Sequence, residues 1–263
     1  MQEVKYNFSE VSLLVTVYNR SASLERLLGS FRELNVSFGE IIVSDDCSKQ
    51  PHLSLMKDLQ QDFDFKLITT PVNLGLGNNI NKGQKAVSLP YTLYVQEDFV
   101  PKQAFLNNFS NALAILKEDS SVDTIRFYAY FPYPYIKTYG KGFNEMIFKP
   151  SLFKWNHLKF YVYSDHPHVR RSNFLEKFGE YQEGIRMDNT EFFMSLSFIN
   201  KKGRALIAAD INESFDQKNS PDEPSTVGRK SWKEKDNLLI ALMRKGFLVY
   251  RYLKNNIQLI QRR

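Results

Sequence analysis

The run VSLLVTVYNRSASLERLL, residues 11–28, decides the reading of the fold. Its first eight residues form a short apolar, β-branched run, which predicts a buried strand. Asn19-Arg20-Ser21 breaks it, and Ser21 or Ser23 is placed to cap a helix. Leu24, Leu27, Leu28 and Phe31 then recur at i, i+3, i+4 and i+7, the stripe of an amphipathic helix. A buried strand passing directly into a helix is how an α/β protein begins.

The same alternation extends through the first hundred residues. Residues 40–44 (EIIVS) predict a second strand ending at Asp45-Asp46, and a helix is expected around 53–61. A strand at 65–69, a loop from Pro71 and a helix over 74–87 follow. Residues 91–95 (YTLYV) predict a fourth strand that runs into Gln96-Glu97-Asp98. Such alternation gives a Rossmann-like, mostly parallel sheet flanked by helices. Ligands of these sheets bind beyond the carboxyl ends of the strands. Polar residues gather there: Asn19 and Arg20, Asp45 and Asp46, Asn73, and Glu97 with Asp98.

Past residue 101 the pattern is less regular. A helix is expected at 105–117 and a strand at 124–130. The Pro- and Tyr-rich stretch 131–139 (FPYPYIKTY) predicts an irregular surface segment. Residues 187–199 read as a helix with Phe192, Leu196 and Ile199 on one face, and 213–228 as a polar loop. Residues 233–252 predict a basic C-terminal helix. The expected organisation is one domain over 1–228, divided into halves at 101/102, with a basic extension over 229–263.

Composition bounds the function. A chain of 263 residues with 43% hydrophobic residues can bury a sizeable core. Its 24% of charged residues argue against wholesale disorder. The 21 Phe and 14 Tyr predict a stiff core, aromatic clefts or both. The net charge of +6 is uneven: 9 Lys/Arg against 12 Asp/Glu in 1–101, but 10 against 2 in 229–263. Basicity therefore belongs to the tail, and no nucleic acid is expected as partner. A single cysteine, Cys47, excludes an intrachain disulfide and a Cys-based zinc framework. With neither a signal-peptide pattern nor a run of 18 apolar residues, the expectation is a cytoplasmic protein. Its tail either packs on the preceding domain or lies on the inner face of an anionic membrane.

Adjacent carboxylates repel unless a cation or donor groups compensate. Two acidic pairs at one sheet edge therefore suit a divalent cation held beside a diphosphate, with solvated turns as the bland alternative. Gly75 and Gly77 in 73–83 (NLGLGNNINKG) allow close approach of backbone to a ligand. They do not form a dinucleotide fingerprint.

Together, 11–20 (VSLLVTVYNR), 41–48 (IIVSDDCS), 73–83 (NLGLGNNINKG) and 93–101 (LYVQEDFVP) resemble a family 2 glycosyltransferase of the GT-A fold, in order and spacing. The resemblance implies transfer of a sugar from a nucleotide-sugar, expected here to be a UDP-sugar, usually with inversion and with Mn²⁺ or Mg²⁺. The implied acceptor is a glycan or lipid-linked glycan of surface polysaccharide synthesis. By position, Thr16 and Tyr18 would line the nucleoside pocket, Asp46 would accept from the base, Asn73 and Gly75 would shape the pocket, and Asn19, Arg20 and Asp45 would also meet the donor nucleotide. Glu97 would face the ribose and Asp98 would bind the metal. The usual Asp-x-Asp reads Gln96-Glu97-Asp98, and 212–218 (NESFDQK) lacks the family's histidine, so that ligand is absent or replaced by Asp216. These departures keep open a degenerate nucleotide-sugar binding protein. A nucleotidyltransferase-like enzyme is the other alternative, though 18–23 (YNRSAS) lacks its Gly- and Arg/Lys-rich loop.

The catalytic base is expected in 187–193 (MDNTEFF), where Asp188 and Glu191 share a helix face and Asp188 aligns better with the family's base. Their alternative role is to offset a helix dipole. In 164–171 (SDHPHVRR), His168 and Arg170 would meet the acceptor or diphosphate from a loop, or belong to an ordinary polar turn.

Overall fold

The computed structural model describes residues 6–151, 153–220, 223 and 238–262, without the side chains of 238–245. Its first half runs β1 (Tyr6–Val17), α1 (Ser21–Glu33), β2 (Val36–Asp45), α2 (Gln50–Phe63), β3 (Lys66–Ile68), α3 (Gly75–Lys85) and β4 (Tyr91–Gln96). Next come β5 (Phe99–Pro101), α4 (Ala104–Glu118), β6 (Thr124–Arg126), β7 (Ile136–Gly140) and β8 (Phe143–Met146). A 3₁₀ turn (His157–Phe160), β9 (His168–Arg171), α5 (Phe174–Phe178) and α6 (Met187–Asn200) follow. The chain closes with β10 (Ala205–Ala208), β11 (Phe215–Gln217) and α7 (Leu238–Gln261).

Nine strands form one sheet in the order β3-β2-β1-β4-β9-β6-β10-β8-β7. The first four are mutually parallel, so their carboxyl ends share one edge. β9 lies antiparallel between β4 and β6 and joins that parallel half to the rest. Strand alternation sorts side chains onto two faces. Leu13, Val15 and Val17 join the layer under α1, α2 and α4, whereas Leu14 joins the layer under α3, α5 and α6. Each fully buried Leu or Phe contributes roughly 1.5–3 kcal/mol, so continuous apolar strands hold both layers to the sheet.

The aromatic excess is mainly core. Phe105 stacks on Phe109 at 4.9 Å, and Phe31, Phe127 and Phe215 meet this pair edge-on or tilted. On the other face Phe174, Phe178 and Phe198 form a second group.

The later half corrects several expectations. Residues 136–146 form the β7–β8 hairpin, where an irregular segment was expected over 131–139. The stretch 164–171 is not a polar turn throughout: His168–Arg171 is β9, in the middle of the sheet. Between two partner strands the ladder pairs its backbone whatever its side chains, so polar residues hide the strand from periodicity. The expected loop 213–228 contains β11, which pairs with β5. α7 extends to Gln261. Residues 224–237, including the start of the expected extension, lie outside the described residues.

Candidate active site

The parallel strand ends make the site. Thr16 is buried near the end of β1, its Oγ1 2.9 Å from the Tyr94 hydroxyl on β4. Asn19 takes the left-handed φ of 54°, which asparagine tolerates better than most residues. Its backbone N–H donates to Ser48 Oγ at 2.7 Å, and its Oδ1 accepts from Lys49 N at 2.7 Å. The turn after β1 is thereby tied to the turn after β2. Tyr18 beside it remains partly exposed.

The two aspartates after β2 have different roles. Asp45 is fully buried, and its carboxylate accepts from the Ser48 N–H and hydroxyl. That engagement clamps its own turn. Asp46 reaches across to α3, accepting from Leu74 N and Gly75 N, each at 2.8 Å. A carboxylate here satisfies N–H groups that a helix start leaves without partners. Gly75 has φ +85°, a conformation that strains a side-chain-bearing residue. Asn73 Nδ2 donates to the Asp46 carbonyl at 3.3 Å. Asp46, Asn73 and Gly75 therefore form one hydrogen-bonded corner.

After β4, Glu97 and Asp98 are both buried. Arg20 lies against them, with Nη1 3.1 Å from Glu97 Oε1 and 3.6 Å from Asp98 Oδ2. Burial and then the Asp98 charge push the Glu97 carboxyl up to about 8, while Arg20 pulls it down. The guanidinium expected to meet nucleotide is engaged by this pair. Its other arm donates to Asn219 Oδ1 at 2.8 Å and the Glu223 carbonyl at 3.1 Å. Glu223 in turn accepts from Ala22 N and Ser23 N, capping α1. Asn219 and Glu223, distant in sequence, thus hold the Arg20 side chain that lies against the acidic pair.

Asp98 Oδ2 accepts from Gln217 Nε2 at 2.8 Å, whereas Oδ1 is buried and accepts from no described residue. A lone buried carboxylate oxygen is a fitting ligand for a hard cation. Among the described residues no group of three or more His, Cys, Asp or Glu is placed to hold a metal ion. A cation here would rely on Asp98, with Glu97 adjacent, and on phosphate oxygens of a bound nucleotide. Asp216 does not replace the missing histidine. It pairs with Lys102 at 3.3 Å, and Gln217 is the β11 residue that meets Asp98.

Asp188 and Glu191 diverge although they share α6. Asp188 is 67% exposed at its side chain and pairs with Arg186 at 3.3 Å. Glu191 is hydrogen-bonded to the buried Asp165, which accepts from Gln96 Nε2 at 3.2 Å. Burial and then the Glu191 charge raise the Asp165 carboxyl well above the usual range, with buried Arg126 opposing. The amide that stands in the usual Asp-x-Asp pattern therefore donates to Asp165 of this acid pair. A third carboxylate at 96 would repel it.

His168 and Arg170 do not present themselves from a loop. Both are fully buried on β9. Arg170 donates to Gln84 Oε1 at 2.7 Å and the Tyr181 hydroxyl at 2.6 Å, with its guanidinium over the Phe174 ring at 4.7 Å. His168 Nδ1 lies 2.7 Å from the His166 carbonyl. Aromatic neighbours surround both, and Arg170 has internal partners, whereas His168 Nε2 is buried without a hydrogen-bond partner among the described residues.

Sequence reasoning did not assign roles to Asp165, Gln217 and Glu223. Asp165 lay within the quoted 164–171 tract, next to residues mistaken for a loop. Gln217 and Glu223 carry no local signal, because β11 pairing and the α1 cap bring them in from afar.

Sheet order and the acidic strand-end site define a protein of the GT-A class. Staphylococcus aureus TarS in complex with UDP-GlcNAc has the same fold, with TM-score 0.61 and 16% identity over 95% of this chain and 73% of that one. A mannosyltransferase from Pyrobaculum calidifontis, in complex with GDP-Man and Mn²⁺, gives TM-score 0.54 and 13% identity over 95% and 64% of the two chains. The chain belongs to glycosyl transferase family 2, whose sequence profile matches residues 12–179. Poly-beta-1,6-N-acetyl-D-glucosamine synthase of Staphylococcus epidermidis is 31% identical over 90 residues. That match covers 34% of this chain and only 22% of the synthase. An uncharacterized glycosyltransferase of Haemophilus influenzae is 25% identical over 117 residues, 44% of this chain and 37% of that protein.

Proposed function

We propose that the protein transfers a sugar from a nucleotide-diphosphate donor, a UDP-sugar in the first instance, to a hydroxyl of a glycan or lipid-linked acceptor in surface polysaccharide synthesis. The observation that carries this reading is the convergence of Thr16, Asp46, Glu97 and Asp98 at the carboxyl edge of the parallel strands. The family match and the nucleotide-sugar complex of a protein with the same fold support it. Thr16, Tyr18 and the corner of Asp46, Asn73 and Gly75 would receive the nucleoside, with Glu97 at the ribose.

A divalent Mn²⁺ or Mg²⁺ held by Asp98 would supply Lewis-acid stabilisation of charge on the departing diphosphate. The chain's own residues do the rest. In an inverting transfer the acceptor oxygen attacks the anomeric carbon as the bond to the diphosphate breaks, and a carboxylate takes the hydroxyl proton. Glu191 is the group this geometry favours, because Asp165 and Gln96 connect it to the end of β4. Asp188, paired with Arg186 in solvent, is the alternative base.

Calorimetric titration with UDP, GDP and dTDP, with and without Mn²⁺, tests the donor site, and a donor-sugar hydrolysis screen tests chemistry. Binding of UDP strengthened by Mn²⁺, with slow release of sugar, is the expected result. If no nucleotide binds, the donor assignment fails. Arg20 against the acidic pair favours a second reading, a nucleotide-sugar binding protein without transfer. Nucleotide binding without hydrolysis or transfer would select it.

A further inference from the structure

We propose that Arg20 is the resident counter-cation of the Glu97–Asp98 pair, so that a divalent ion enters this site only as its complex with a nucleoside diphosphate. This role rests on the donor site proposed above and adds the order in which its parts arrive. Arg20 is 4% exposed. Among the described residues its guanidinium is the one cation in ion-pair contact with either acid, 3.1 Å from Glu97 Oε1 and 3.6 Å from Asp98 Oδ2. Its other arm is held as well, by Asn219 Oδ1 at 2.8 Å and the Glu223 carbonyl at 3.1 Å. The Glu223 carboxylate is itself fixed on Ala22 N, Ser23 N and the Ser23 hydroxyl. Withdrawing the guanidinium from the acids would break these contacts, so its charge stays beside Asp98. That holds whether or not Glu97 carries a proton.

The leftover polar atoms select what enters. Two buried side-chain atoms of this pairing have no hydrogen-bond partner among the described residues, the donor Arg20 Nε and the acceptor Asp98 Oδ1. Buried groups left unpaired are costly, and together they call for a ligand with both an acceptor and a cation. A bare divalent ion satisfies only the acceptor. It gains one Asp98 oxygen, because Gln217 Nε2 occupies Oδ2 at 2.8 Å, and it meets the guanidinium charge. One oxygen is a poor return for the hydration shell of a hard ion that takes about six ligands. A metal-free diphosphate satisfies only the donor and brings negative charge toward the acids. The metal–diphosphate complex carries oxygens for Arg20 and a cation for Asp98, and its phosphates have already neutralised the ion.

Equilibrium dialysis of the full chain against Mn²⁺, with no nucleotide and no sugar present, tests the exclusion. Wild type should retain little Mn²⁺. Arg20→Gln should bind it at least about tenfold more tightly, as loss of a unit charge a few ångströms away implies. Asp98→Ala added to Arg20→Gln should abolish the gain. Asn219→Ala removes a contact that holds the guanidinium and no charge, so it should gain in the same direction by a smaller factor. It carries the test if Arg20→Gln loses the circular dichroism of the wild type. UDP added to the dialysis should bring Mn²⁺ onto the wild type. Equal retention of nucleotide-free Mn²⁺ by wild type and the Arg20 and Asn219 variants overturns the proposal. UDP that binds neither alone nor with Mn²⁺ strikes the donor site instead, and the nucleotide-free comparison still decides the counter-cation role.

Discussion

Arg20 Nη1 lies 3.1 Å from Glu97 Oε1, and the side chains are only 5% and 11% exposed. This pair joins the first βα turn to the fourth strand end, and it supplies the positive charge beside two buried acids. Removing one member of a buried pair strands the other, at a cost of about 3–5 kcal/mol. Glu97 relieves part of that by taking a proton, since burial and Asp98 already raise its carboxyl to about 8. Above pH 8, where Glu97 is ionised, Arg20→Gln should therefore lose about 3 kcal/mol in urea unfolding of the metal-free protein, and less at lower pH. Added Mn²⁺ should restore part of the loss, because a ligand of the folded state stabilises it. An unchanged urea midpoint would show that Arg20 is not the compensating charge.

Asp98 Oδ1 is buried with no hydrogen-bond partner among the described residues, and it is the oxygen proposed to hold the cation. Asp98→Ala should abolish the Mn²⁺ dependence of nucleotide binding while circular dichroism stays that of the wild type. Calorimetry in Mn²⁺ and in chelator reads the difference. Equal Mn²⁺ enhancement in both proteins would move the metal elsewhere.

Glu191 and Asp188 can be separated by kinetics. A general base contributes about 10²–10⁴-fold, so Glu191→Gln should lower kcat by that order with donor affinity kept. Asp188→Asn should change kcat by less than about threefold, since exposed substitutions away from the reacting atoms have small effects. Asp165→Asn should shift the pH dependence of kcat, because Asp165 is hydrogen-bonded to Glu191. The reverse order of kcat losses would return the role of base to Asp188.

His168 gives a pH prediction with a defined sign. Burial, then Arg170, holds its imidazole well below the ordinary 6.5. Above pH 6.5 neither the folded nor the unfolded chain protonates it. Below, only the unfolded chain does, so the stability this group contributes falls with pH by about 1.4 kcal/mol per unit. Glu97 and Asp165, raised by burial, act in the opposite direction over part of that range. The measurement is therefore the difference between wild type and His168→Gln in chemical unfolding at pH 6.5 and one unit lower. The variant should lose less stability than the wild type on acidification. Parallel curves would mean that His168 is protonated in the folded protein.

The parallel half of the sheet was readable in the sequence. Apolar strands such as residues 11–17 are buried on both faces, and their pattern survives because hydrophobic contact governs most of their positions. The strand-end positions of Thr16, Asp46 and Asp98 followed from the same local periodicity, as did the stripe of α1. Other features were not local. β9 carries His168 and Arg170 into the centre of the sheet because partner strands pair its backbone and aromatic rings pack on both side chains there, and residues 164–171 alone do not show those partners. Only tertiary packing assigned Asp45 to its own turn and Asp46 to α3, although the two are neighbours in sequence. It also turned Asp188 to solvent and Glu191 to Asp165, one helical turn apart. Gln217, Asn219 and Glu223 met Arg20 and Asp98 through contacts some 120–200 residues apart in sequence. Sequence by itself determined which segments hide from water, because burial follows from short-range periodicity. Tertiary structure decided which charges face one another, because electrostatic partners are set by distance in space.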